Sequence, residues 1–345
     1  MSVRPRFPFD AMCVALALTA LLASSPALTH DVHDHESTQR TADVAAAYSS
    51  ADVHALIRAF RRTGDDDNLD AAWSRLQPLL AQDVQDVSVL IDAATVAQSR
   101  HDFETALALI DRALVIQPGF DQAWLLRASI QLVRGNPEQA ESACDRLRSV
   151  PTLVAVTCRA RTAIARGEHA HVLKTLMAIL ASVDRASADP EALAWALSVA
   201  GDAAAADPES AIDYYEQSLE LVENAQVRAA LVDVLLSIDR VAAARGVLKS
   251  GHHALPLTVR RLIVAVRMGE ADAIADEIAR TDHRFRHWIA NRDWAHAREM
   301  ARFYIDVLDR PALARRLARI NLSLQREPED LLLAHRVGEC SSCVR

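Results

Sequence analysis

The chain is 345 residues long, with a formal net charge of −8, 51% hydrophobic residues, 5% aromatic residues and only 9 glycines. A chain of this length holds two or three globular domains or one long array of repeats, and the scarcity of glycine, aromatic residues and strand-forming runs favours an almost wholly helical array. The acidic balance excludes a general nucleic-acid binder, which needs a basic face to displace counterions; Lys174 and Lys249 are the only lysines, and no basic stripe runs the length of the chain.

Residues 1–29 have the pattern of a cleaved export signal: Arg4 and Arg6, an apolar run from Ala11 to Ala23, then the small residues Ser24, Ser25 and Ala27. The run is shorter than the roughly 20 apolar residues that span a bilayer. Cys13 lies inside it rather than after it, which argues against a lipid anchor, and cleavage is expected after Ala27 or Thr29. The mature chain is then expected to be extracytoplasmic, most simply periplasmic, with no stable membrane insertion.

Residues 30–49 are too polar to offset the entropy of ordering them, and are expected to lack fixed structure. They open on His30-Asp31-Val32-His33-Asp34-His35-Glu36. Imidazoles and carboxylates suit Ni, Cu or Zn. With cleavage after Ala27, His30 becomes the third residue, where it chelates Cu(II) or Ni(II) together with the amino terminus. His30, His33 and His35 are therefore the candidate metal ligands; the compositional alternative is a tract without fixed geometry.

From Ser50 a helical period begins, and a step of 34 residues lands like on like: Leu56, Leu90 and Trp124 in a first helix, Ala72, Ala106 and Ala140 in a second. Leu76, Ile110 and Cys144 follow the same step, as do Leu79, Ala113 and Leu147. Three regular units result, 53–86, 87–120 and 121–152, with mid-unit turn signals at Gly64-Asp65-Asp66-Asp67, Ser99-Arg100-His101-Asp102 and Gly135-Asn136-Pro137. Phe60 stands where a small residue is expected, and Pro78 predicts a kink or a short helix.

This period and its alternation of large and small residues resemble the tetratricopeptide repeat, a family of helix-turn-helix solenoids. Pro118 matches the proline that closes a unit of that family. The resemblance implies an all-α solenoid of about eight helix pairs over 50–337. Degenerate pairs are expected at 153–183, 190–222, 225–250 and 256–280, and at 293–326 after the basic aromatic segment His283–Trp288, with a cap at 329–337. The stretches SRHDFETALALIDRALVIQPGFDQAWLLRASIQLVRGNPEQAESACDRL and ARFYIDVLDRPALARRLARINLSLQREPED are similar to exported bacterial tetratricopeptide proteins, a group with no assigned activity.

Carried onto this chain, the family's concave groove falls on Ser88, Ile91, Thr95, Gln98, Gln122, Leu125, Ser129 and Leu132. The two-Lys, two-Asn carboxylate clamp of some members is absent, because Ile91 with Thr95 and Leu125 with Ser129 fill those positions. Such a groove suits an apolar or helical segment; the alternative is that part of the chain itself fills it. The implied function is an exported scaffold, not an enzyme, that binds a protein or peptide partner in an assembly or adaptor role. A periplasmic transition-metal binding or delivery protein using the histidine-rich N-terminus is the alternative. The sequence holds no Gly-rich phosphate loop, no G-x-S-x-G turn and no H-E-x-x-H.

Cys144 and Cys158 lie at equal distances from Pro151, which breaks the chain between two helices. Residues equidistant from the turn of a helix hairpin come to similar heights, so a disulfide is expected there. Cys340-Ser341-Ser342-Cys343, on a tail over 338–345, is expected to close a local disulfide rather than act in redox catalysis, which needs a strand before the motif. Arg298, Arg302, Arg315, Arg316 and Arg319 read as a solvated face paired to Glu299, Asp306 and Asp309. Of the remaining histidines only His283 and His287 have ligand spacing, at i and i+4.

Overall fold

The computed structural model describes residues 49–82, 84–248 and 254–340, and every element among them is a helix. In chain order these are α1 (Ser50–Thr63), α2 (Asp67–Leu80), α3 (Val87–Ser99), α4 (Phe103–Ile116), α5 (Asp121–Val133), α6 (Pro137–Cys144), α7 (Thr152–Ala165), α8 (His169–Ser182) and α9 (Pro190–Ala203). They continue with α10 (Pro208–Leu221), α11 (Ala225–Ser237), α12 (Val241–Val247), α13 (Leu255–Arg267), a short 3-10 helix (Ala271–Ile274) leading into α14 (Ala275–Ala290), α15 (Ala297–Asp306), α16 (Pro311–Leu324) and α17 (Pro328–Arg336). Consecutive helices pair into eight units, α1 with α2 through α15 with α16, of which α13 and α14 meet through the 3-10 helix between them, and α17 closes the array. The chain is thus a tetratricopeptide-like α-solenoid. The export signal and the histidine run fall outside the described residues, as does Cys343.

Short polar residues and prolines start the helices. Ser49, Asp86, Asp102, Asp189 and Asn224 each accept a hydrogen bond from a first-turn N–H, which satisfies donors that no intrahelical carbonyl can reach. Pro137, Pro190, Pro208, Pro256, Pro311 and Pro328 stand in first turns, where a missing N–H costs nothing. Most first helices end on one residue in the left-handed region, which reverses the chain: Gly64, His101, Gly135, Gly167, Asp239, Gly269 and Asp309. Histidine at φ 62° is the unusual member of this set.

Two expectations need correction. Helix α2 is neither shortened nor broken at Pro78 but runs on to Leu80, 14 residues like α4. The proline sits exposed in the last turn, where it removes one hydrogen bond. The segment His283–Trp288, expected between two helix pairs, lies inside α14, where Phe285 is fully buried against Phe303 and Tyr304 while His283 and His287 face solvent. Its apolar face has helical spacing, and its polar face made it read as a break.

The core is a chain of clusters. One joins the first three pairs around Leu69, Leu76, Leu90 and Ile110; the next runs from α5 to α9 and includes Trp195; the last gathers Phe285, Phe303 and Tyr304. The array then coils back on itself. Helix α1 packs against α11, and a Cβ on Gly64 would lie 2.4 Å from the Ala254 Cα. On the opposite side, the Arg326 N–H donates to the Val133 carbonyl at 2.7 Å. The last hairpin therefore sits inside the curve of the first four.

Candidate functional site

The eight residues that the sequence places on the concave groove do not form an open surface. Ser88 is exposed; Ile91, Thr95, Gln98, Gln122, Leu125, Ser129 and Leu132 are all buried. Leu125, Ser129 and Leu132 line a small gap closed by Cys158, Arg161 and Trp195 of the following first helices, and Gln98 faces a cavity whose other wall belongs to the C-terminal hairpin. First helices of successive units thus pack on one another, and the C-terminal hairpin covers what they leave.

The covering piece is Gln325–Asp330, the turn after α16 together with the first turn of α17. Gln325 and Glu327 have extended backbones (φ −138°, ψ 144° and φ −70°, ψ 163°). The Glu327 carboxylate receives Arg298 at 2.7 Å and Arg161 of α7 at 3.5 Å. Asp330, fully buried, receives Arg298 at 2.5 Å, the Asn321 amide at 2.6 Å and the Glu327 N–H at 2.8 Å. A buried carboxylate is tolerable only when paired and hydrogen-bonded in this way.

Beside this cluster, the Tyr215 hydroxyl donates to Asp202 at 2.7 Å, and Gly201 makes room for it, since a Cβ there would lie 2.6 Å from the tyrosine ring. Burial pushes the Asp202 carboxyl up, opposed by the Tyr215 bond, and pushes the Tyr215 hydroxyl well above its ordinary range. Glu329 meets water but is enclosed by the coil. That enclosure and the charge of Glu327 raise it to about 7, against the pull of Arg298.

At the seam between the first hairpins and the last lies a cavity of about 120 Å³. Its walls include Phe60, Arg61, His101, Leu255, His296 and Gln325. The rings of His101 and His296 meet edge to face at 6.3 Å, and His296 stacks obliquely on Trp288 at 5.0 Å. The His296 Nε2 lies 3.9 Å from Asp66. Burial, then the nearby His296 and Arg298, lower His101 to about 4, with Glu327 opposing them.

His101 therefore makes the seam sensitive to acid. The unfolded chain takes up the imidazole proton near its ordinary 6.5 and the folded chain only near 4, so stability is complete above 6.5 and lost as the pH falls toward 4. At about 1.4 kcal/mol per unit the loss reaches at most about 3 kcal/mol. Denaturation profiles at pH 7 and pH 5 should show a steeper loss for the wild-type chain than for His101→Asn, which keeps a residue tolerant of positive φ. Identical pH dependence in the two proteins would exclude His101 as the source.

The arginine group is not one solvated face. Arg298 turns inward to Glu327 and Asp330, and Arg302 to Asp233 at 2.6 Å. Glu299 pairs with Arg260 at 3.1 Å and Asp306 with Arg336. Arg315, Arg316 and Arg319 are exposed, with Arg319 on Glu339 at 2.6 Å. Cys144 and Cys158 are joined by a disulfide with Cα atoms 5.8 Å apart. Cys340 is also disulfide-bonded. His283 and His287 gather no further ligand, and no group of three or more His, Cys, Asp or Glu among the described residues has the geometry to hold a metal.

Sequence reading missed a Ser-His-Asp grouping across the first two hairpins. The Ser50 hydroxyl donates to Asp92 at 3.0 Å and lies 3.3 Å from His54 Nε2, which itself meets Asp92 at 2.7 Å. A hydrolytic relay uses opposite ring nitrogens for the serine and the carboxylate. Here one nitrogen faces both, and the grouping ties α1 to α3. An i, i+4 serine and histidine facing an aspartate 38 residues on from the histidine was the available signal.

No protein-family description and no curated relative matches the chain. Solved structures similar to it include PilF of Pseudomonas aeruginosa, at 17% identity over 57% of this chain and 90% of that one, TM-score 0.41. The APC/C hetero-tetramer Cut9–Hcn1 is similar at 15% identity over 87% of this chain and 51% of that chain, TM-score 0.45. The P58(IPK) TPR domain is similar at 14% identity over 83% and 88%, TM-score 0.25. Among the described residues no helix is long and apolar enough to cross a membrane.

Proposed function

We propose that this chain is an exported scaffold that holds a protein partner, in an assembly or adaptor role. The observation that carries the reading is the architecture itself: eight stacked units form one continuous curved body, and such arrays present extended surfaces whose ligand is set by side chains the repeat leaves free. The acidic balance points the same way, toward a protein rather than a nucleic acid. Crosslinking the mature protein in the cell envelope should recover one specific partner. Recovery of none under several growth conditions would sink the reading.

A second reading rests on the run His30–Glu36, whose imidazoles and carboxylates suit Ni, Cu or Zn. Equilibrium dialysis separates the two: deleting residues 30–36 abolishes tight binding if the run is a metal site, and unchanged stoichiometry refutes it.

A further inference from the structure

We propose that the face formed by the C-terminal end of α5 and Arg161 of α7 is a binding site for an extended, acidic peptide segment of a partner protein, and that Gln325–Glu327 occupies it as an internal ligand. The inference rests on the scaffold reading and names the site and the chemistry of its partner.

Three observations carry it. The first is the backbone bond from Arg326 to the Val133 carbonyl; every other backbone hydrogen bond outside the helices among the described residues is local in sequence. Main-chain pairing with an extended segment is indifferent to sequence, which is how a groove accepts peptides in general.

The second is that α5 is built to offer that carbonyl. At its end Gly135 N–H bonds to Leu132 and Asn136 N–H to Gln131, so the left-handed turn at Gly135 uses those carbonyls and leaves Val133 to an outside donor. The same glycine lets the segment lie close, since a Cβ there would come 2.9 Å from the Arg326 side chain.

The third is the division of contacts. The Arg326 side chain lies over Gly135, and its Nε turns back to donate to the Leu322 carbonyl at 3.0 Å. Glu327 supplies a charged contact, to Arg161 at 3.5 Å. The rest of the network, Arg298 with Glu327 and Asp330, and Asn321 with Asp330, stays within α15–α17. Lifting the segment breaks the backbone bond to α5 and the ion pair to α7, while Arg298 and Asn321 keep Asp330 within α15–α17. A peptide that offers a backbone N–H followed by a carboxylate restores both. The carboxylate has to be deprotonated to pair with Arg161, so a neutral isostere is a poor ligand.

The test is a titration of the full chain with a fluorescent peptide covering residues 322–331, alongside hydrogen exchange at the amides of 325–327. Arg326→Pro removes the donor and fits the extended backbone of Gln325 before it; Glu327→Gln removes the charge. The double variant should expose those amides and bind the peptide at least ten times more tightly than the wild-type chain. Arg161→Gln in that background, or a glutamine at position 327 of the peptide, should reverse the gain. Glu327→Gln alone gives the same direction with smaller amplitude, and serves if the double variant fails to fold. Amides that stay protected in the variants overturn the claim that these contacts hold the segment. Amides that open without a gain in peptide binding overturn the site. Dimers that the peptide does not disrupt assign the site to a second copy and overturn the partner peptide. Failure to crosslink a partner in cells would count against the scaffold reading and leave this titration to decide the site on its own.

Discussion

Replacing Asp233 by alanine should destabilise the C-terminal half by about 3 to 5 kcal/mol, the cost of leaving buried cations without their counterion. Asp233, on α11, receives Arg260 of α13 at 3.0 and 2.6 Å and Arg302 of α15 at 2.6 Å on both oxygens. Burial alone would raise this carboxyl, but the two guanidiniums outweigh it and hold it at about 2. Without Asp233, Arg260 keeps Glu299 at 3.1 Å and the Pro256 carbonyl at 3.0 Å. Arg302 loses both of its hydrogen bonds to that carboxylate in a half-buried position.

The pH dependence gives an independent check. A carboxyl depressed from its ordinary 3.8 to about 2 stabilises fully above 3.8, and that contribution is lost as the pH falls toward 2. Acid unfolding should therefore be steeper in the wild-type chain than in Asp233→Ala. Chemical denaturation at pH 7 decides the main effect, and a change below about 1 kcal/mol would mean that water enters and solvates Arg302.

The all-helical repeat was legible because it is written in periodicity: Ala72, Ala106 and Ala140 recur at a fixed step and are all completely buried between paired helices. The burial of the residues expected to line a groove was not legible, because it depends on how far each hairpin rotates on the last, and small rotations accumulate over eight pairs into closure. Nothing local in Arg326 or Val133 announces a bond from the last hairpin to the third. The inward arginines were hidden for a related reason. Asp233, Arg260 and Arg302 belong to three different hairpins, and spacing along the chain assigns charge partners only within one helix or its neighbour. In α14 the pattern was present and misjudged: Thr281, Phe285 and Trp288 have helical spacing, but flanking arginines and histidines concealed the face.

Reducing the bond between Cys144 and Cys158 should lower stability by about 3 kcal/mol, the chain-entropy value for a loop of this size. The cysteines are 14 residues apart, both buried, in the core cluster that joins α5 to α9. The bond stands at the end of a short second helix. Helix α6 has only 8 residues against 14 in α2 and α4, so the third hairpin lacks the last turns with which a second helix holds the next unit. A covalent tie from the last residue of α6 to the second turn of α7 replaces that packing. Reductant should shift the denaturation midpoint of the wild-type chain and leave Cys144→Ala/Cys158→Ala unmoved. Non-reducing peptide mapping supplies the direct observation: a linked peptide supports the bond, and two thiols that alkylate freely after denaturation without reductant refute it. Arg161 lies one turn beyond Cys158 on the same face of α7, so a looser α7 should also weaken the hold on Glu327. Reduction is then expected to speed hydrogen exchange at Gln325–Glu327, and unchanged protection there would show that α7 keeps its place without the bond.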